Sequence, residues 1–340
     1  MLSLPLIPAK PNPRIRRAAS PVPALRKNRS NCKWKRKRER GCKGRARGES
    51  IKLHFTKFTI TMNVLITNDD GITAYNLIAL AGAAMECANV KVVAPQREQS
   101  GVGHSFSYYR SLHFAPAENF PCEAFWVDGT PADCMKFALK HIYRDVNFDL
   151  VISGVNNGDN AGVASFYSGT VGAAREAALW GVPAIAVSLQ KQSDAALDFA
   201  LKWVQKILRD KSFSKMPRQT LWNFNVPPCS KENPCKGVKV SITSTSMFND
   251  YYIEAEKSKD YLGEETAYLV NEDSTHNSLL PTPYSQPGST LKAYNLVGNK
   301  VPDLLEGTDD WWLEQGYASL SPQNVNLTDE AEYKRLKAIF

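Results

Sequence analysis

The chain has 340 residues, of which 43% are hydrophobic, and a formal net charge of +8. This length and composition suit one large domain or two modest ones with a sizeable core. No apolar run approaches the ~20 residues that a membrane span needs, so we expect no membrane association.

The charge is distributed unevenly along the chain. Residues 1–61 contain 18 Lys and Arg but only Glu39 and Glu49 as acids, which gives them +16 and leaves −8 for the remainder. This segment is Pro-rich and then runs into "KWKRKRERGCKGRARG", with few periodic apolar positions. Such a composition cannot bury enough surface to offset the entropy of ordering, so we predict a disordered basic extension over 1–61.

Three interpretations of this extension stay open. Lys33–Arg40 is a short basic run of the kind that contacts nucleic acid or directs nuclear import. The Arg-rich, acid-poor composition also fits an organellar transit peptide. Finally, Met62 is a plausible true start, since a strand begins almost at once after it.

The seven cysteines are scattered, and no two of them form a C-x-x-C pair. This pattern disfavours a structural zinc site. We expect reduced thiols and a cytoplasmic location.

From Met62 onward, short apolar strands alternate with helices. The first helix has a buried face of Leu77, Leu80, Ala81 and Ala84, and the second begins at Pro131 with Thr130 as its N-cap. Strands are predicted at Asn63–Thr67, Val90–Ala94, Asp149–Ser153, Ala184–Ser188 and Leu221–Val226, and further helices at Val171–Gly181, capped by Thr170, and at Asp194–Leu208. This alternation predicts a doubly wound, mostly parallel, Rossmann-like α/β fold over residues 62–235.

The character of the sequence changes after about residue 236. Tyr, Thr and Ser increase, and strand-like pieces are separated by Gly, Pro and Asn, which predicts a β-rich arm or hairpin. Near the end, a short helix capped by Thr308 and stopped by Gly316 precedes the strand "YASLSP". We expect residues 236–340 to complete the core or to form a dimer interface.

Three loops follow the carboxyl ends of predicted strands, which is where ligands bind in open α/β sheets. They are Asn68–Gly71, Pro95–His104 and the 18-residue loop Ser153–Thr170. The paired carboxylates of Asp69 and Asp70 suit a hard divalent cation. The alternative for this pair is that one Asp caps the next helix and the other is solvated.

The third loop leads into a helix through Ser168, Gly169 and Thr170. Free N–H groups and the helix dipole make such a start an anion site, although an ordinary Thr cap has the same sequence. The chain contains no Walker motif and no G-x-S-x-G, and "GVGHSF" lacks the third glycine of a dinucleotide fingerprint.

Five blocks of this sequence, in this order, resemble the signature blocks of the SurE family of metal-dependent nucleotidases. They are "NVLITNDDGI", "VVAPQREQSGVGHS", "VDGTPADCMKFAL", "DLVISGVNNGDNAG" and "YSGTVGAAREAALWGVPAIAVSL", and the similarity returns in "EGTDDWWLEQGYASLSP". The resemblance implies a SurE-like fold and a phosphomonoesterase that acts on nucleoside 5′- and 3′-monophosphates, sometimes with polyphosphate activity.

The resemblance also implies a set of site residues. Carried over by position, the ligands of one Mg²⁺ or Mn²⁺ ion are Asp69, Asp70, Ser100 and Asn156, and the residues that hold the substrate phosphate are Asn160, Ser168, Gly169 and Thr170. Members of the family form dimers, or pairs of dimers, by exchanging C-terminal segments. The stretch after Val238 departs from the family pattern, which leaves base preference and assembly open.

Phosphoryl hydrolysis depends mostly on positioning and charge stabilisation. A water on the metal is the expected nucleophile, oriented by Asp69 or Asp70. His104 lies four residues after Ser100, and it is a candidate either for protonating the leaving alkoxide or for contacting substrate and ligands. Two alternatives remain: a haloacid-dehalogenase-like phosphatase, which however needs Asp-x-Asp, and a nucleic-acid-binding protein that acts through residues 1–61.

Overall fold

The computed structural model of the chain describes residues 62–254 and 294–339. The predicted disordered extension 1–61 and the middle of the predicted arm, 255–293, lie outside these residues. Across the described ranges, no helix has the length and apolar content needed to cross a membrane.

A nine-stranded sheet forms the centre of the molecule, in the order β3-β4-β2-β1-β5-β6-β7-β11-β8. Neighbours from β4 to β7 are parallel, whereas β3–β4 and β7–β11 are antiparallel. The strands are β1 (Asn63–Thr67), β2 (Asn89–Pro95), β3 (Phe114–Pro116), β4 (Glu123–Val127), β5 (Leu150–Asn157), β6 (Ala184–Leu189), β7 (Thr220–Val226), β8 (Val238–Val240) and β11 (Ala318–Asn324).

Helices cover both faces of this sheet. The helices are α1 (Tyr75–Met85), α2 (Pro131–Phe137), α3 (Ala164–Tyr167), α4 (Gly169–Leu179), α5 (Asp194–Asp210), α6 (Asp309–Glu314) and α7 (Glu330–Lys337), with a π-helical turn at Ala138–Ile142 and a 3₁₀ turn at Ser212–Lys215. Helices α1 and α5 pack together on one face, and α2 and α4 pack together on the other. The predicted doubly wound, mostly parallel α/β fold is confirmed.

The two faces have separate apolar cores. The buried face predicted for α1 lies in the first core, where the rings of Trp203 and Phe224 also stack with centroids 3.8 Å apart. The buried side chains of α2 and α4 form the second core, against the opposite face of β1 and β5. Because β1 and β5 are buried on both faces, they read as continuous apolar runs in the sequence.

Local capping signals are correct at two helices. Thr130 accepts a hydrogen bond from the Asp133 N–H, and the Asp133 side chain accepts one from the Thr130 N–H, so a full capping box begins α2. Thr308 caps α6 with its hydroxyl alone, which accepts a hydrogen bond from the Trp311 N–H, and Gly316 follows with φ of +78°.

The predicted start of the helix after the third loop is wrong by two residues. Ser168 is the N-cap, with its Oγ accepting from the Val171 N–H at 3.0 Å, so the helix is Gly169–Leu179 and Thr170 lies inside its first turn. The predicted 18-residue loop is also shorter than expected, because β5 continues to Asn157 and α3 occupies part of the rest. The Thr170 hydroxyl is bound to Asp69 instead, and the end of β5 pairs with Ser188 and Leu189 of β6, so both differences involve contacts with distant segments.

The C-terminal part contributes to two sheets. Strand β11 pairs with β7 and β8 at the edge of the main sheet. Strands β9 (Met247–Glu254) and β10 (Tyr294–Val301) form an antiparallel ribbon, in agreement with the predicted arm or hairpin. Helix α6 braces the loop after β5, because the Asp309 carboxylate accepts the Gly162 N–H at 2.9 Å and the Ser244 N–H at 2.8 Å.

Two helix glycines provide a matched test of the packing between α4 and the second loop. A Cβ on Gly172 would lie 2.4 Å from the Gly103 carbonyl oxygen, whereas a Cβ on Gly82 in α1 would meet nothing within 4 Å. We expect Gly172→Ala to lower the free energy of unfolding by about 1–3 kcal/mol, since the second loop must move away. Gly82→Ala should raise it by up to about 1 kcal/mol through helix propensity.

Urea unfolding of both variants measures this difference. Equal stabilisation by the two alanines would mean that the second loop does not pack closely on α4.

Candidate active site

The three loops meet at the carboxyl ends of β1, β2 and β5, where the strand order reverses between β1 and β5. This is the position at which open α/β sheets bind ligands. A cavity of about 520 Å³ lies there. Its wall includes Asp69, Asp70, Ser100, Asn156, Asn160 and Ser168 among the residues predicted from the sequence.

Asp69 is held against the first turn of α4. Its Oδ2 accepts the Thr170 N–H at 3.0 Å, and its Oδ1 accepts the Thr170 hydroxyl. The side chain is almost fully buried, and burial raises its pKa even though the hydrogen bonds from Thr170 act in the opposite direction. The close approach depends on Gly169, whose Cβ would lie 3.0 Å from the Asp69 Cβ.

Asp70 also faces the cavity, but within the described part of the chain its carboxylate lacks hydrogen bonds like those that Thr170 donates to Asp69. Burial, followed by the charges of Asp69 and Glu98, raises the pKa of Asp70 to about 7. Glu98 lines the same cavity, and its Oε1 accepts a hydrogen bond from the Ser100 hydroxyl at 2.7 Å. Sequence reasoning missed Glu98, although it lies inside the second loop as an acid two residues before Ser100.

The two asparagines are oriented by hydrogen bonds of their side-chain amides. Asn156 donates to the Gly158 carbonyl at 2.8 Å, and Asn160 donates to the Ser188 hydroxyl at 2.8 Å. The backbone of Asn160 is also bound from β7, since its N–H donates to Asn225 Oδ1 and its carbonyl accepts from Asn223 Nδ2, both at 2.8 Å. These hydrogen bonds fix the orientation of Asn160 in the cavity wall.

The structure does not bring every predicted site residue to the cavity wall. Thr170 is fully buried and its polar groups are bound to Asp69, and Gly169 packs on the same carboxylate. Neither they nor His104 belong to the cavity lining among the described residues. His104 is directed to α4, where its Nε2 lies 2.8 Å from Glu176 Oε2.

An aromatic pair forms the outer wall of the cavity. Tyr167 at the end of α3 and Phe248 in β9 both line it, with ring centroids 5.8 Å apart and nearly perpendicular planes. Both rings are partly exposed. Sequence reasoning did not single out either residue, because Phe248 comes from a strand far along the chain.

The donor set fits a hard divalent cation. The cavity is lined by three carboxylates, and none of its lining residues in the described part of the chain is Lys, Arg or His. No group of three or more His, Cys, Asp and Glu side chains is arranged for a metal within residues 62–254 and 294–339. The predicted set instead joins two carboxylates to a hydroxyl and an amide, which are oxygen ligands of the kind that Mg²⁺ and Mn²⁺ accept.

Comparison with known proteins identifies the family. The model of the family described as "Survival protein SurE" matches residues 64–250. This chain belongs to the SurE family. The first, second and third loops all lie within the matched range, as does Phe248.

Named relatives cover most of this SurE protein. A protein named 5′-nucleotidase SurE from Clostridium botulinum (strain Loch Maree) is 33% identical over 271 residues, which is 79% of this chain and 95% of that protein. One from Fervidobacterium nodosum is 33% identical over 283 residues, covering 82% and 97%. The crystal structure of the SurE protein from Aquifex aeolicus superposes with a TM-score of 0.60 at 28% identity, covering 82% and 99%.

The carboxylate cluster makes the stability of this SurE protein depend on pH when divalent ions are removed. Folding raises the pKa of Asp70 from 3.8 to about 7, so the folded state binds more protons than the unfolded state between these values. The contribution of Asp70 to the free energy of unfolding therefore falls as pH rises from about 4 to 7. We expect Asp70→Asn to raise the melting temperature in EDTA at pH 8 by about 3 °C or more, and to have a smaller effect at pH 5.

Thermal unfolding at the two pH values measures this effect, with Asp198→Asn on the exposed face of α5 as the control. A shift of the same size at both pH values would contradict the charge repulsion at Asp70.

Proposed function

We propose that this SurE protein is a divalent-metal-dependent phosphomonoesterase that releases phosphate from nucleoside 5′- and 3′-monophosphates. The observation that carries the proposal is the cavity itself, in which Asp69, Asp70 and Glu98 face Asn156 and Asn160 without a cationic side chain among the described lining residues. The relatives named 5′-nucleotidase SurE support the same substrate class.

The proposed metal ligands are Asp69, Asp70, Ser100 and Asn156, with one Mg²⁺ or Mn²⁺ ion. When bound there, such an ion would supply charge to neutralise phosphate oxygens and to lower the pKa of a bound water. Burial and the neighbouring charges of Asp69 and Glu98, which raise the pKa of Asp70, support this assignment, because a dication lowers the cost of keeping both carboxylates ionised. Ser100 reaches the cavity through the second loop, which the Gln99 N–H ties to the Asp69 carbonyl at 2.7 Å.

The chain's own residues would then orient the reaction. Asp69 is immobilised by Thr170, so we assign it the role of a fixed ligand, and we assign Asp70, which has no such bond, to orienting the attacking water. Asn160 and Ser168 are proposed to hold the phosphate oxygens. Gly169 and Thr170 would contribute by fixing the start of α4, whose dipole favours an anion.

The substrate's base is proposed to pack on the aromatic wall formed by Tyr167 and Phe248. The cavity volume of about 520 Å³ is in the range of small-molecule sites, and a partly exposed aromatic pair at its edge offers a stacking surface to a planar base. Stacking on these rings makes no hydrogen bonds to the edges of the base. We therefore propose a nucleotide substrate and assign no preference among the bases.

We also propose assembly into a dimer or tetramer through the C-terminal segments. Exposed apolar side chains on the β9–β10 ribbon, including Met247, Tyr252 and Leu296, support it. The aromatic residues Trp311, Trp312 and Tyr317 are a second candidate for such an interface, and their rings contact one another, with centroids 4.4 Å apart for Trp311–Trp312 and 5.5 Å apart for Trp312–Tyr317. Binding of nucleic acid by residues 1–61 stays a prediction, because these residues lie outside the described part of the chain.

Removal of one carboxylate tests the metal site. We expect Asp69→Asn to lower kcat for AMP at least about 100-fold while the protein stays folded, because the cation loses a ligand and Thr170 loses a charged acceptor. EDTA should abolish the wild-type activity, and added Mn²⁺ or Mg²⁺ should restore it.

Asp198→Asn at an exposed position of α5 is the control for these measurements. Full activity of Asp69→Asn would overturn the site assignment. Trapping of a phospho-enzyme would favour the covalent aspartate chemistry of a haloacid-dehalogenase-like phosphatase instead.

The role of His104 is tested with two leaving groups. We propose that His104 holds the second loop on α4 through Glu176, rather than protonating the leaving alkoxide. His104→Gln should then lower kcat/KM for AMP and for p-nitrophenyl phosphate by similar factors of about 10 or less, because a displaced loop affects both esters.

A general acid matters for the alkoxide of a nucleoside but little for nitrophenolate, which leaves without a proton. A loss of about 100-fold confined to AMP would therefore restore His104 to the role of acid. Glu176→Gln, which weakens the same contact from the α4 side, should reproduce the behaviour of His104→Gln if the contact is structural.

A further inference from the structure

The ammonium group of Lys300 in β10 contacts three oxygen acceptors. Its Nζ contacts the Asp159 carboxylate, lies 2.6 Å from Asp310 Oδ1, and donates to the Ala161 carbonyl at 3.3 Å. An ammonium group has three donors, so these three acceptors satisfy it. Only 15% of the side chain is exposed, which distinguishes this pair of ion contacts from the surface salt bridges on α5.

The contacts of Lys300 flank a residue of the candidate active site. Asp159 precedes Asn160 and Ala161 follows it, so the ammonium holds the chain on both sides of this cavity residue. The third partner, Asp310 in α6, is 3% exposed and also accepts the Ser244 hydroxyl. Lys300 thus joins the ribbon to the loop after β5 and to α6.

The register of the ribbon connects Lys300 to the aromatic wall. Lys300 in β10 is directly opposite Phe248 in β9. Side chains of directly opposed residues in an antiparallel pair lie on the same face. The anchor at Lys300 and the ring at the cavity edge are therefore on one face of the ribbon, separated by a single cross-strand step.

The charge of Lys300 is maintained in this setting. Burial lowers its pKa, but the carboxylates of Asp159 and Asp310 outweigh this effect, and the pKa lies above its ordinary value. Partly buried ion pairs of this kind are costly to break from one side, because the remaining charge stays without a partner. The ion contacts of Lys300 therefore attach the ribbon strongly next to the cavity.

We propose that Lys300 is a positioning residue that fixes the β9–β10 ribbon over the cavity and so favours phosphate esters that carry a base. This inference rests on the proposed function, since it assigns selectivity to the same site. Lys300 is not among the described residues that line the cavity. It acts through the placement of Phe248.

The selectivity is tested with Lys300→Met, which keeps the length of the side chain and removes the charge. We expect KM for AMP to rise about tenfold and kcat/KM for p-nitrophenyl phosphate to change less than about threefold, because the small ester does not use Phe248. Lys300→Arg should recover most of the loss, since it keeps a cation at the same position.

Lys91→Met is the matched control. Lys91 is a cross-strand ion-pair partner of Glu123 in the main sheet, with a similarly covered side chain and no place in the cavity wall. Lys91→Met should leave KM and kcat for both substrates unchanged. Equal losses for AMP and p-nitrophenyl phosphate in Lys300→Met would overturn the proposal.

A second measurement does not depend on activity. Hydrogen–deuterium exchange of residues 247–254 and 294–301 should be faster in Lys300→Met than in wild type, Lys300→Arg or Lys91→Met. Unchanged exchange would overturn the anchoring role. If the wild type hydrolyses neither ester, the proposed function fails, and the exchange data still decide whether Lys300 holds the ribbon.

Asp159→Asn covers the case in which Lys300→Met does not fold. It weakens the contact beside Asn160 and leaves the pair of Lys300 with Asp310 in place. We expect Asp159→Asn to raise KM for AMP as well, but by a smaller factor, and to leave kcat/KM for p-nitrophenyl phosphate nearly unchanged. No change for either ester would overturn the proposal.

Discussion

The central constraint on this structure is the crowding of carboxylates at the end of β1. Asp69 and Asp70 are adjacent in the chain, and Glu98 approaches them from the second loop. Asp69 is compensated by the first turn of α4, whereas the charges that act on Asp70 within the described residues are the carboxylates of Asp69 and Glu98. An arrangement that costs stability in the absence of a cation is explained if the site is built to bind one together with an anionic substrate.

The surrounding elements serve to hold this cluster in one geometry. Gly169 and Gly172 let α4 approach Asp69 and the second loop without side-chain clashes. Asn223 and Asn225 of β7 bind the backbone of Asn160, and Asp309 binds that of Gly162. The C-terminal segment therefore acts on the active site from a distance of more than 140 residues along the chain, through hydrogen bonds to a single loop.

Local signals predicted much of the fold because they depend on neighbours in the sequence. The apolar run of β1, the capping box at Thr130 and the cap at Thr308 involve residues at most four positions apart. The sequence predicts Thr170 as the cap of α4, whereas the structure has Ser168. Local spacing does not separate the two, because both are hydroxyl residues at the start of the same helix. The Thr170 hydroxyl is bound to Asp69, 101 residues earlier, and no local pattern contains that contact.

The sequence by itself determined the α/β class and the three loops at strand ends, because apolar periodicity and strand-end polar residues are local features of the sequence. The residues proposed for a cation and a phosphate come from the resemblance of these loops to the SurE family. Only the tertiary structure decided that Glu98 joins the carboxylates, that His104 turns to Glu176, that Phe248 lines the cavity and that Lys300 binds the chain beside Asn160. These placements depend on how β9 and β10 fold back over the sheet and on how α4 meets the second loop. Such long-range packing depends on the free energy of the whole chain, so it cannot be predicted from the residue pattern of any single segment.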